Sequence, residues 1–134
     1  MVPEAWRDGF PPNVWIGTTM EDGRRARERH EHLAAIPARV RFVSAEPLIA
    51  PIDDLPLDGV SWVIVGGESG GGDARPMDPA WARSIRDRCQ DRGVAFFFKQ
   101  MGSRWAGNVT GDHKGGELAS IPEDLHLREL PLAA

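Results

Sequence analysis

The sequence predicts an α/β fold: a parallel sheet of about four strands, two main helices and an irregular C-terminal tail. Two observations lead there. Four short apolar runs rich in β-branched and aromatic residues recur along the chain, and capped or amphipathic helical segments lie between them. The resulting order is strand, helix, strand, loop, strand, helix, strand. That order is what βαβ units produce, with right-handed crossovers between parallel neighbours.

The first run is Val14-Trp15-Ile16-Gly17-Thr18. Residues 21–36 then read as a helix, with Ala26, Leu33 and Ile36 on one side beside His30 and with Arg24, Arg27, Glu28 and Glu31 on the other. Thr19 is placed to cap it, Asp22 falls in its first turn and Pro37 ends it. The second run is Val40-Arg41-Phe42-Val43. Leu48 to Gly59, with two prolines and three aspartates, reads as a long loop with one short helical turn. The third run, Trp62-Val63-Ile64-Val65, and the fourth, Val94-Ala95-Phe96-Phe97-Phe98, are almost continuously apolar, which suits strands covered by helices on both faces. Between them residues 79–92 form a helix. Asp78 is its N-cap, Pro79 sits where a missing amide costs nothing, and Gly93 stops it. Trp81, Ile85 and Cys89 make its apolar stripe. Residues 101–134 read as a tail that packs over the domain in places.

Length and charge narrow the function. One domain accounts for 134 residues. The net charge of −4 disfavours general binding to a phosphate backbone. No apolar run reaches the ~18 residues of a membrane span. The single cysteine, Cys89, cannot form an internal disulfide, and the first eight residues contain no apolar signal segment, so a cytoplasmic protein is expected. No histidine spacing suits zinc.

All four runs end in small and polar residues. They lead into Thr18-Thr19, into Ser44-Ala45-Glu46-Pro47, into Gly66-Gly67-Glu68-Ser69-Gly70-Gly71-Gly72, and into Lys99-Gln100. Parallel strands bring these ends to one edge of the sheet, where ligands of α/β folds bind. The candidate ligand-binding set is Thr18, Ser44, Glu46, Gly66, Gly67, Glu68, Ser69, Arg75, Lys99 and Gln100. The glycine-rich turn either cradles an anion with its amides or is a plain flexible loop, and it lacks the Lys-Ser/Thr ending of a nucleotide P-loop. Glu46 and Glu68 either face one pocket as an acid–base pair, or one of them is tied up in a salt bridge with Lys99. Arg75 either binds a substrate anion or pairs with Asp73 or Asp78.

Several blocks point further: Asn13 to Asp22, Arg41 to Leu48, Trp62 to Gly70, Ala74 to Met77, and Phe96 to Gly102. Together they resemble a phage and prophage family of radical-SAM-like proteins of unknown function, marked in full length by a three-cysteine motif. The resemblance implies that residues 13–102 are the C-terminal half of a TIM-like barrel, preceded by a lead-in over 1–12 and followed by a tail over 103–134. It also implies that the iron–sulfur cluster of full-length members is absent here, because a cluster needs several thiolates. No cofactor is therefore expected in this chain.

A half-barrel leaves sheet edges and one sheet face open. The expected function is that of a non-catalytic phage or mobile-element protein in the host bacterial cytoplasm. It would act on a protein partner, either a second copy or a host or phage protein, with inhibition of a host defence system as one use. The alternative is one part of a split radical-SAM-like enzyme. Glu46, Glu68, Arg75 and Lys99 would then hold a nucleotide-like or S-adenosylmethionine-like ligand.

Overall fold

A computed structural model describes residues 3–109 and 112–132. Four strands form one open sheet among them: β1 (Trp15–Thr19), β2 (Val40–Ala45), β3 (Trp62–Gly66) and β4 (Ala95–Gln100). The order is β1-β2-β3-β4 and every pairing is parallel. The helices are α1 (Gly23–Ala34), α2 (Pro79–Arg92) and a short α3 (Ser103–Val109). This is the α/β architecture expected, a sequentially wound strip of the kind that makes up part of a barrel.

Winding each strand beside the last with one handedness sends every crossover to the same side. Ala26 and Leu33 of α1 and Ala82, Ile85 and Cys89 of α2 join one buried cluster with Val43, Ala45, Val63, Val65, Phe96 and Phe98 of the sheet. The β2–β3 crossover contributes Leu48, Ile52, Leu55 and Leu57 to the same cluster, doing by side-chain burial what a helix does elsewhere. It contains no helical turn, contrary to expectation. Arg88 Nε reaches the Leu55 carbonyl at 2.6 Å and Ser84 Oγ reaches Asp53 Oδ1 at 2.7 Å, so α2 also holds this loop through its polar groups.

The expectation that β3 and β4 are covered by helices on both faces is corrected. Trp62, Ile64 and Phe97 point to the other side and are only half-buried. That face carries an aromatic cluster instead. Trp62 lies 6.0 Å from Trp15, 5.7 Å from Phe42 and 6.0 Å from Phe97, between ring centres. Gly17 is level with Phe42, and the Phe42 ring fills the place where a side chain on residue 17 would be. Trp15 remains 38% exposed.

Helix α1 also differs from its expectation. It starts at Gly23, and its cap is Asp22, which accepts from the Arg25 amide at 2.8 Å. Thr19 is unavailable as a cap because it continues β1, paired in register with Ser44. The helix ends at Ala34, short of Ile36, which directly precedes Pro37 and is disfavoured from helical geometry. Helix α2 has the expected bounds, with Asp78 accepting from the Ala80 amide, Pro79 opening the first turn and Gly93 at φ 66°.

The tail is more ordered than its composition suggests. Ile121 and Leu125 are buried in the core. Asp124 receives Arg83 Nε at 2.7 Å and Arg86 Nη1 at 2.7 Å, and these guanidinium groups hold its carboxyl far below the usual range. Residues 127–129 then run antiparallel along the outer edge of β4. The Phe98 amide donates to the Leu127 carbonyl at 2.7 Å, and the Glu129 amide to the Phe96 carbonyl at 3.0 Å. The Trp62 indole donates to the Glu129 carbonyl at 2.9 Å. No described residue pairs with the outer edge of β1.

Candidate functional site

Parallel strands place their carboxyl ends at one edge, so the sequence-selected residues start from a common rim. Ser44 is level with Thr19 and Ile64, on the face without helices. Glu46 follows it. Lys99 Nζ donates to the two Glu46 carboxylate oxygens at 2.9 and 3.1 Å. Gln100 Nε2 approaches the same carboxylate at 3.3 Å and donates to the Gly67 carbonyl at 3.0 Å. Strict alternation would send Lys99 and Gln100 to opposite faces. The β3–β4 register shifts between Val65 and Gly66, so that Val65 pairs with Phe98 but Gly66 with Gln100. That irregularity lets two consecutive side chains converge on Glu46.

Gly66 and Gly67 are buried beneath this group. A side chain on Gly66 would press on Glu46 and Gln100 at 3.3–3.4 Å. One on Gly67 would overlap the Met101 backbone. Both glycines therefore serve close approach of chain segments, and both carbonyls are used by the fold, that of Gly66 accepting from the Leu48 amide and that of Gly67 from Gln100. The Gly67 amide donates to the Gln100 carbonyl at 2.9 Å.

Glu68 and Glu46 each take a cation of their own, so neither carboxylate stands as a free acid–base partner of the other. Arg75 holds Glu68 through its amide at 2.7 Å, Nε at 2.9 Å and Nη2 at 2.6 Å. Asp73 and Asp78, the alternative to a substrate anion read for Arg75 from the sequence, are not the partners it takes. The forked contact closes residues 69–74 into a loop in which Ser69 is exposed. Thr18 stands apart from the rest of the set. It is level with Val43, on the side covered by helices, while its neighbour Thr19 shares the Ser44 face. Thr19 ends the same apolar run but is outside the candidate set, although the alternation that defines the strand separates the two faces.

The Arg75 side-chain and amide hydrogen bonds lower the Glu68 carboxyl from 4.5 to about 2. A folded-state value below the unfolded one contributes stability that is complete above pH ~4.5 and is lost as pH falls through about 2. In Arg75→Ala, which removes the guanidinium but keeps the residue-75 amide, the Glu68 carboxyl resonance is expected to titrate above the wild-type value of about 2, part of the way back toward 4.5. Carboxyl-detected NMR across that range reads both. Equal midpoints in the two proteins would show that the fork is not kept in solution.

Metal chemistry finds no support in the donor set. Among the described residues, no group of three or more His, Cys, Asp or Glu side chains is arranged to hold a metal ion. His30 Nε2 lies 3.0 Å from the Asp58 carbonyl, and His126 Nε2 lies 2.8 Å from that of Ile121, so both imidazoles serve the fold. An iron–sulfur cluster does not fit these residues. Cys89 is the only cysteine and is wholly buried on α2, where burial and then Glu129 push its thiol up to about 12. No described helix is long and apolar enough to cross a membrane.

No curated protein and no solved structure matches the chain. A family model described as a protein of unknown function (DUF5131) matches residues 1–122. With 122 of its 134 residues covered, the chain belongs to the DUF5131 family.

Proposed function

We propose that this domain acts by binding another polypeptide across the open face and free edge of its sheet. The observation that carries the reading is the one-sided burial of the sheet. Helices and the β2–β3 crossover cover one face, while Trp15, Phe42, Trp62 and Phe97 gather on the other with β1 unpaired beside them. Aromatic side chains that keep solvent contact are the common anchors of protein interfaces. The partner is a second copy of the chain or a protein of the phage or its host. The resemblance to phage and prophage proteins favours a host target, with inhibition of a defence system as the outcome and the bacterial cytoplasm as the location.

Trp15→Asp tests this reading. Trp15 is already part-exposed at the sheet edge, so the change leaves the core intact. The wild-type chain is expected to self-associate in light scattering or to capture one defined protein from host lysate, and Trp15→Asp is expected to lose that association by at least about tenfold. A monomeric wild type whose captured proteins are the same as those of Trp15→Asp would overturn the proposal.

A second reading rests on one specific feature, the convergence of Lys99 and Gln100 on Glu46 at the strand ends. A charged, hydrogen-bonded group at that edge suits the substrate side of a split enzyme, with a nucleotide-like or S-adenosylmethionine-like ligand. The pairing of Glu46 with Lys99 and of Glu68 with Arg75 leaves neither carboxylate poised as a free base, which places this reading second.

A further inference from the structure

The loops that leave β3 and β4 enclose a cleft that the docking reading does not use. Its volume is about 1080 Å³, ample for a small organic ligand. One wall is Ser69 and Gly70-Gly71-Gly72. The other is formed by α3 and by residues 112–114. The cleft thus sits at the carboxyl ends of two adjacent parallel strands, where open α/β sheets take their ligands.

Three properties define what it would accept. First, the glycine wall presents bare backbone. Nothing lies within 4 Å of where side chains on Gly70, Gly71 or Gly72 would be, and Gly71 has φ +87°, which suits glycine. The Gly71 and Gly72 amides donate to no described residue. Second, the facing wall brings positive charge. Lys114 takes part in no ion pair among the described residues, and it lines the cleft together with Arg104. The Asp112 carboxylate on the same wall is turned to its own loop, accepting from the amides of Lys114, Gly116 and Glu117. Third, the two walls are fixed to each other. The Ser103 amide donates to the Glu68 carbonyl at 2.8 Å, the Gly70 amide to Ser103 Oγ at 3.2 Å, and the Gly102 amide to the Lys114 carbonyl at 2.8 Å. The Glu68–Arg75 fork clamps the ends of the glycine loop.

Free amides opposite a lysine, on a rigid frame, are the elements of an anion site. We propose that the cleft between the Ser69–Gly72 turn and Lys114 binds the phosphate group of a phosphorylated small molecule, with the remaining volume holding its organic part. The Gly71 and Gly72 amides and the Lys114 ammonium take the phosphate oxygens. Ala106 and Gly107 line the rest. The site is separate from the sheet face and from Trp15, so it stands or falls independently of the docking reading.

The test is an amide NMR titration of the full chain at low salt with adenosine monophosphate, and separately with adenosine. The expected result is saturable shifts confined to Gly70–Gly72, Ser103 and Lys114 on adding the nucleotide, and none on adding the nucleoside. Lys114→Glu, an exposed change that keeps a dispersed spectrum, is expected to weaken the nucleotide by at least about tenfold. The proposal is overturned if these amides do not respond, if adenosine moves them as strongly, or if Lys114→Glu binds the nucleotide as the wild type does.

Discussion

Phe96→Ala is expected to remove about 3–5 kcal/mol of folding stability. Phe96 is fully buried near the start of β4, and its side chain lies in the cluster shared by α2 and the β3 valines. Truncation forfeits the transfer energy of the ring and leaves a void between two rigid layers, the helix and the sheet, that cannot collapse onto each other. A domain of this size has ~5–15 kcal/mol in total, so the variant should be close to unfolding at ambient temperature. Urea denaturation reads the effect as a lower midpoint with an unchanged slope. A midpoint within experimental error of the wild type would mean that β4 does not pack against α2. Phe97→Ala is the internal comparison, since Phe97 faces the half-buried side of the same strand and its truncation should cost distinctly less.

Gly67→Ala is the second large effect, and it works by overpacking. The added methyl would overlap the Met101 carbonyl and lie 2.9 Å from the Gly102 nitrogen. These are backbone atoms, held in turn by the hydrogen bonds from the Met101 and Gly102 amides to Gly115 and Lys114. No side chain can swing away to make room, so a cost of about 3 kcal/mol is expected, at the upper end of overpacking changes. Gly107→Ala is the matched control. It meets nothing within 4 Å in a helix, and it should be neutral or gain up to about 1 kcal/mol. Thermal unfolding of both variants separates the two. A Gly67→Ala protein as stable as Gly107→Ala would refute the close approach of the two loops.

Where a signal is local, the sequence carried it. Asp78, Pro79 and Gly93 mark the ends of α2 by chemistry that acts within one turn, and the helix has those bounds. Where tertiary pairing competes, local chemistry lost. Thr19 is a sound cap by residue type, but the ladder with β2 keeps it extended and passes capping to Asp22. The short α3 left no periodic apolar stripe to read, and Gly107 within it argued against a helix. At the candidate site, the Lys99–Glu46 bridge was legible as one of two readings because both residues end strands. Arg75 was harder. Asp73 and Asp78 are nearer in sequence than Glu68, and only the fold-back of the glycine loop selects the more distant carboxylate. The register shift that brings Gln100 beside Lys99 on Glu46 has no sequence signature at all.

The segment Leu127–Glu129 on the rim of β4 has a consequence for assembly. A sheet with two open rims can be extended from both ends, and repeated addition then gives a filament. Here one rim is already occupied by the chain's own backbone, and the ladder among the described residues leaves β1 as the remaining acceptor. In terms of strand addition, the two rims are therefore unequal. The rim beyond β4 now ends in three residues that run into Leu130-Pro131, and Pro131 has no amide to donate, so the five-residue β1 edge is the better acceptor and an added strand there would favour a two-fold pair or one-to-one capture over growth from both ends.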